Sequence, residues 1–465
     1  MDQLIDALDL TILEDCYRGS GSAAHRPDLM FKIVVLQTLD GRRSPAQWSV
    51  AVKENIAVQW ICHGIKPSRS ALYDFRNRLA EPIADLCAQA VRQAQLEGLL
   101  HPTEGVLDGT FVRACASRHR MVNMSTLQRR HAELDAVLTK DAADQPVENM
   151  PKWMAKTPAG REELAERYTK AHEELERRLA VNARRPKGKR LDEKKVVVST
   201  SDPEAPTGRD KEKVFCPLYT VQYMVEPQSL IILSYEAFAQ ATDANTLGLM
   251  LDRTQEVIGH HLDLVNADAG YVSVLDLQEC ARRGVELIAP VHENSYSEKK
   301  RTPQPNEKLK RELFTWDDEQ QIYICPQGHA MNYEAKERKA RSGDREVIQY
   351  RYRCSGDHCR QCPLAQRCTS NPEKGRTINR LEGQELLDAQ RLKMQTPEAQ
   401  AKQRQRGQVV ERGFADAKAH RNFRRLHGRG LKRARAESGI VVFAQNALTI
   451  NRLRQTRASP GDCNT

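Results

Sequence analysis

One change of hydrophobic period governs what this chain can fold into. Up to about residue 100 the apolar residues recur at helical spacing, and from Gly105 onward they gather in β-branched runs at strand spacing. In the first part, RPDLMFKIVVLQTL leads to a turn at Asp40-Gly41, and Ser44-Pro45 then supplies an N-cap with the favoured first-turn proline. SRSALYDFRNRLAEP follows, with Leu72, Phe75 and Leu79 as a buried stripe behind a Ser68 or Ser70 cap. Arg69, Arg76 and Arg78 project from this last helix. Short helices ending in a basic one suit a helix-turn-helix that contacts DNA, and equally a plain bundle.

After the change, GVLDGTFVRACAS (105–117) reads as a strand, or as a hairpin turning at Asp108-Gly109. Residues 118–195 are charged, with opposite charges four apart, and read as a solvent-facing helical insertion closed by the basic link ARRPKGKR. Strand patterns return at 194–200, 216–225 and 229–238, then a helix at 245–258, a strand at 261–271, a helix at 272–284 and a strand at 285–291. That order makes a mixed α/β sheet flanked by helices. The expected domains are an all-α unit at 1–100, a sheet domain at 101–291, a cysteine-containing insertion at 292–405, a helical, basic stretch at 406–457 and a disordered tail at 458–465. A chain of 465 residues supports two or three such units.

Charge is localised. Between Arg404 and Arg457 fourteen Lys and Arg face three acids, a surplus of 11, whereas the whole chain carries +10. Clustered cations of this kind gain affinity for a polyanion by releasing counterions from phosphates. No apolar run approaches the roughly 20 residues needed to cross a bilayer, and the acidic start MDQLIDALDL lacks the basic-then-apolar form of a secretory leader. A cytoplasmic, nucleoid-associated protein without a membrane partner is expected.

Five of the twelve cysteines fall between residues 325 and 368. In a reducing compartment such a cluster reads as a metal site before a disulfide framework. Cys359-x2-Cys362 with Cys368 offers three thiolates on one loop, and Cys325 can return as the fourth ligand of a tetrahedral, structural zinc. Cys354, His329 and His358 stand nearby as replacements for any one of them.

Three acids are candidates for chemistry. Asp108 interrupts an apolar strand, and Asp268 follows another in LVNADAG, at the carboxyl end where open sheets place ligand-binding groups. An Asp-Gly turn would account for the first equally well, and a helix cap for the second. Glu411 lies in the dense basic stretch that contains QVVERGFADAKAHRNFRRL and shares a helix face with Lys418, seven residues on.

Taken together, VLDGTFVRACAS, STSDPEA (199–205), VNADAGYVS and VVERGFADAKAHRNFRRLHGRG resemble bacterial insertion-sequence transposases of the DDE class, and the helical start resembles the N-terminal domain those enzymes carry. The resemblance runs from about residue 20 to 455. It implies a ribonuclease-H-like fold in which Asp108, Asp268 and Glu411 bind two Mg²⁺ or Mn²⁺ ions, with Lys418 matching the lysine that follows the glutamate. The family often carries Arg four residues before that glutamate; here the position is Gly407, with Arg406 beside it. The resemblance also favours Cys325, Cys359, Cys362 and Cys368 as zinc ligands. It implies binding of double-stranded DNA, both transposon ends and target, by a homodimer. Arg69, Arg76, Arg406, Arg412, Lys418, Arg421, Arg424 and Arg425 are the expected DNA contacts. A catalytically dead, zinc-containing DNA-binding descendant is the alternative, with a structure-specific nuclease as a second.

Overall fold

The computed structural model describes every residue except 16, 18–23, 148, 186, 292–308, 341–345 and 459–465. In chain order it begins with seven helices: α1 (Asp2–Asp6), α2 (Thr11–Asp15), α3 (Pro27–Leu39), α4 (Pro45–Glu54), α5 (Ile56–Ile61), α6 (Arg69–Arg78) and α7 (Ile83–Leu96). Strand β1 (Glu104–Arg113) and the short β2 (Met121–Val122) precede a pair of long helices, α8 (Met124–Ala142) and α9 (Pro158–Ala183). Then come β3 (Val198–Ser199), β4 (Thr207–Arg209), β5 (Phe215–Val225), β6 (Ile232–Phe238), α10 (Leu247–Ile258), β7 (Leu264–Asn266), α11 (Val274–Arg283) and β8 (Glu286–Ile288). Strands β9 (Thr315–Asp317), β10 (Ile322–Ile324), β11 (Ala330–Ala340), β12 (Glu346–Cys354) and β13 (Thr377–Leu381) follow, with α12 (Gly356–Arg360) and α13 (Ala365–Cys368) between the last two. The chain closes with α14 (Gln384–Lys393), α15 (Pro397–Ala419) and α16 (Leu431–Ala458).

The capping chemistry is as expected. Ser44 accepts from the Ala46 amide at the head of α4, with Pro45 at the first helical position, and Ser68 caps α6 by accepting from Ala71. Asp108-Gly109 forms no turn. β1 runs unbroken and antiparallel to β5, with Asp108 opposite Tyr223 and Gly109 opposite Gln222. β5 and β6 continue antiparallel, and β7 pairs parallel with the other edge of β1, Val106 opposite Asn266. Among the described residues no helix is long and apolar enough to cross a membrane.

The chain divides into two compact units, and the division falls elsewhere than at residues 100 and 291. The first unit holds residues 1–243, 249–267 and 404–465. Its centre is α16, buried on all sides from Ala436 to Ala447 and packed against α3, α7 and β6, so the N-terminal helices and the sheet share one core. Gly439 allows this approach: a Cβ there would lie 2.1 Å from the Tyr235 hydroxyl on β6. Asn446, further along α16, accepts from the Ile232 amide and donates to its carbonyl, satisfying the backbone where β6 begins. Helices α8 and α9 pack around a small core of their own, including Leu127, Leu134, Tyr168 and Leu175.

The second unit holds residues 244–248 and 268–403. The sequence reading assigned residues 292–405 no sheet, yet β13-β12-β11-β10-β9 form a five-stranded antiparallel one. Phe314, Tyr323, Met331, Tyr352 and Ile378 fill its buried side. Residue 458 ends α16, and the rest of the expected tail lies outside the described residues.

Candidate active site

Within the first unit, α15 lies over the face of the sheet that carries Asp108. Paired residues on neighbouring strands point to the same face, so Asp108 shares its side with Tyr223, and Thr110 lies two residues on along β1. Phe414 of α15 stacks on Tyr223 with ring centroids 4.6 Å apart. Lys418 donates to Thr110 Oγ1 at 2.6 Å and to the Phe111 carbonyl at 3.0 Å. Arg406 brings Nη1 to 3.2 Å from Asp108 Oδ2, an ion-pair contact without hydrogen-bond alignment. Glu411 is exposed between these anchors, two turns from Lys418 on the same helix face.

Burial, with the charges of Lys211 and Arg424, lowers the Lys418 ammonium to about 8. Asp108 has a fifth of its side chain exposed, and its Oδ1 accepts from the Gly109 amide at 2.7 Å. These carboxylates are hard oxygen donors of the type that hold Mg²⁺ or Mn²⁺. Among the described residues, no three His, Cys, Asp or Glu side chains are grouped to hold a metal ion.

Asp268 belongs to the second unit, where it caps a 3₁₀ turn (269–271), its Oδ1 accepting from the Gly270 amide at 2.7 Å. The cap expected as the plainer account of this residue is therefore present. Along the chain it stands two residues beyond Asn266, the partner of Val106, just as Asp108 stands two residues beyond Val106.

The basic residues fall into different settings. Arg69 is exposed, and with Arg76 it flanks the Tyr73 ring at 5.7 and 5.0 Å. Arg412 is exposed on α15. Arg424 is 64% exposed, 3.6 Å from Glu212, and Arg425 donates to the Ala116 carbonyl at 3.1 Å. Arg421 is set apart: only 12% exposed, it donates to both Asp416 oxygens and to the Leu39 carbonyl, which makes it a clamp for the end of α15.

Sequence reasoning passed over Arg43 and left Glu437 only as a fallback for the third acid in place of Glu411. They form a buried ion pair across 394 residues of chain. Arg43 also donates to the Asn422 and Arg425 carbonyls at 3.1 and 2.9 Å, and Glu437 accepts from the His427 and Gly428 amides at 3.0 and 2.7 Å. The pair therefore holds the basic loop between α15 and α16 from both sides. No local pattern announces it.

In the second unit Cys325, Cys354, Cys359, Cys362 and Cys368 line one small cavity with His329 and His358, whose rings stack 4.2 Å apart. Burial and the neighbouring Cys359 and Cys325 thiols push the Cys354 thiol up to about 12. Thiols and imidazoles fit zinc by donor chemistry.

The match with known proteins falls in two segments. Residues 324–453 match the family described as "Transposase DDE domain", and residues 1–78 match "Transposase domain (DUF772)". Both are transposase domains, so the resemblance to insertion-sequence DDE transposases read from the sequence stands. Glu411 and the five clustered cysteines lie inside the first segment; Asp108 and Asp268 lie outside both. No curated protein sequence matches the chain. Among solved structures, the piggyBac transposase synaptic complex with hairpin DNA, determined by cryo-EM, is similar at 8% identity and a TM-score of 0.34, over 98% of this chain and 74% of that one.

Proposed function

We propose that the chain is a DNA transposase that binds the inverted repeats at the ends of an insertion sequence, cleaves there and joins the freed 3′-hydroxyls to target DNA. The observation that carries this reading is the seating of α15 on β1: Phe414 on Tyr223, Lys418 on Thr110 and Arg406 beside Asp108 dock the helix that carries Glu411 on the sheet face that presents Asp108. Three antiparallel strands, β6-β5-β1, with β7 parallel on the free edge of β1, support a ribonuclease-H-like arrangement.

In this reading Asp108, Asp268 and Glu411 hold two divalent ions, which when bound activate the attacking oxygen and stabilise the leaving one. The chain's own cations do the rest. Arg406 balances Asp108 and, with Arg412 and Lys418, offsets the repulsion between carboxylates and DNA phosphates. Arg69 and Arg76 on α6 and Arg424 and Arg425 after α15 contact the backbone of double-stranded DNA, and two copies of the chain pair the two ends. The cysteine cavity holds a structural zinc.

Cleavage of a labelled inverted-repeat end with Mg²⁺ or Mn²⁺ tests this, with DNA binding measured alongside. Asp108→Asn, Asp268→Asn and Glu411→Gln keep side-chain volume and remove one charge each, so each is expected to abolish cleavage and spare binding. Asp263→Asn, on an exposed residue, is expected to remain active. Near-normal cleavage by Glu411→Gln would overturn the assignment of the site, and cleavage by all three would overturn the reading itself.

A further inference from the structure

At the far end of β1 the chain builds a second basic feature, in the segment RACAS that the carboxylate site leaves unused. A groove of about 410 Å³ opens between Arg113, the turn Ala116–His119, the start of β5 at Cys216 and Pro217, and Arg425. Its walls are fixed by backbone. Arg113 donates its amide to the Arg424 carbonyl at 3.1 Å and accepts from the Leu426 amide at 2.8 Å, so the loop after α15 extends the end of β1 as a parallel bridge. Ala114 donates to the Pro217 carbonyl at 3.0 Å on the other side. Arg118 and His119 are exposed on a 3₁₀ turn capped by the Ser117 hydroxyl.

The charges are unevenly matched. Asp210 and Glu212 take up the Arg113 guanidinium at 2.6 and 2.5 Å, and Glu212 also reaches Arg424. Among the described residues no carboxylate lies within ion-pair distance of Arg118 or Arg425, although both act on the buried Cys216 at the groove. Two uncompensated guanidiniums therefore face one open groove whose single lining acid, Glu212, is 60% exposed at its rim. Guanidinium forks suit phosphate oxygens, and the exposed Glu212 carboxylate already occupies the place such a group would take beside Arg113.

We propose that this groove is a phosphodiester-binding subsite for the DNA backbone, with Glu212 as its internal competitor; the assignment rests on the transposase reading above. Five residues of strand separate Arg113 from Asp108, about 17 Å at a rise of ~3.3 Å per residue. One strand of duplex DNA covers that distance in about five nucleotide steps at ~3.4 Å each. The groove thus grips the backbone at a remove from the reacting phosphate, where it orients the duplex without touching the chemistry.

Binding of a short duplex, followed by fluorescence anisotropy in chelator between about 50 and 200 mM salt, separates this subsite from the catalytic site. Arg118→Gln is expected to weaken binding and lower the salt slope by about one, so that its deficit shrinks about fourfold over that range. Glu212→Gln is expected to tighten binding. Effects of opposite sign support the subsite; equal affinities, or effects of the same sign, overturn it. Inorganic phosphate added at constant ionic strength is the second arm: displacement of the duplex at sub-millimolar phosphate would make the groove a free-phosphate site and overturn the diester assignment. Failure of the catalytic reading would appear as cleavage by Asp108→Asn, which these metal-free measurements do not touch.

Discussion

The Arg43–Glu437 pair offers the sharpest test of how the loop beside the active site is held. Glu437→Gln keeps the shape of the side chain but leaves the Arg43 guanidinium, only 4% exposed, without a counter-charge. Breaking a buried pair from one side costs about 3–5 kcal/mol, because an uncompensated charge stays in the interior. The amide oxygen can still accept from His427 or Gly428, so the lower half of that range is expected, about 3 kcal/mol. Against a total stability of roughly 5–15 kcal/mol this is a large fraction. Urea unfolding followed by tryptophan fluorescence reads it, since Trp48 is buried and lines the same small cavity as Arg43 and Glu437. A second variant, Glu437→Gln with Arg43→Met, removes both charges and is expected to recover part of the loss. A single variant within about 1 kcal/mol of the parent, or a double variant worse than the sum of the two singles, would refute the buried-pair argument.

Further outcomes follow from the same structure. Burial pushes the Glu437 carboxyl up, but the His427 hydrogen bond and the Arg43 charge more than offset this and hold it below its ordinary range. Its folded-state stabilisation is therefore complete above the ordinary carboxylate range and is lost as pH falls through the lowered value, so Glu437→Gln should flatten the acid limb of a stability–pH curve. Lys418, lowered to about 8, binds fewer protons folded than unfolded between about 8 and its ordinary value of 10.5. Stability should rise with pH across that window, and Lys418→Met should remove the rise; DNA affinity measured over the same range should fall in the parent and stay flat in the variant. For the cysteine cavity, elemental analysis of reduced protein should find about one zinc per chain, and Cys359→Ser should lose it; metal-free parent protein would remove zinc from the account.

What the sequence made legible was whatever a single element announces in its own pattern. Strands β1, β5 and β6 are rich in β-branched and aromatic residues and were placed within a few residues, as were the Ser44 and Ser68 caps. At Asp108-Gly109 two local signals compete, and the strand prevails because β5 pairs with both residues and α15 covers the face that Asp108 occupies. The sheet of the second unit stayed hidden because β11 and β12 alternate Lys, Arg and Glu with only a few buried residues, and β9 and β10 are three residues each. Hydrophobic period cannot reveal strands that put so little apolar surface on one side.

The candidate site divides the same way. Its carboxylates could be named because acids stand out in apolar or basic surroundings. The residues that decide where α15 lies do not stand out at all. Phe414 and Tyr223 read as ordinary core, and Arg421 reads as one more cation in a basic run, yet it closes on Asp416. Gln445, from the middle of α16, donates to the Gly413 carbonyl at 2.8 Å and to Asp416 at 2.9 Å, tying α15 to the central helix one turn beyond Glu411. Asp416 is thus a structural residue, and its substitution would shift the helix that presents Glu411. The chemistry of such a site is local to three acids, but its geometry is set by contacts between segments far apart in the chain, and those become visible only once the chain is folded.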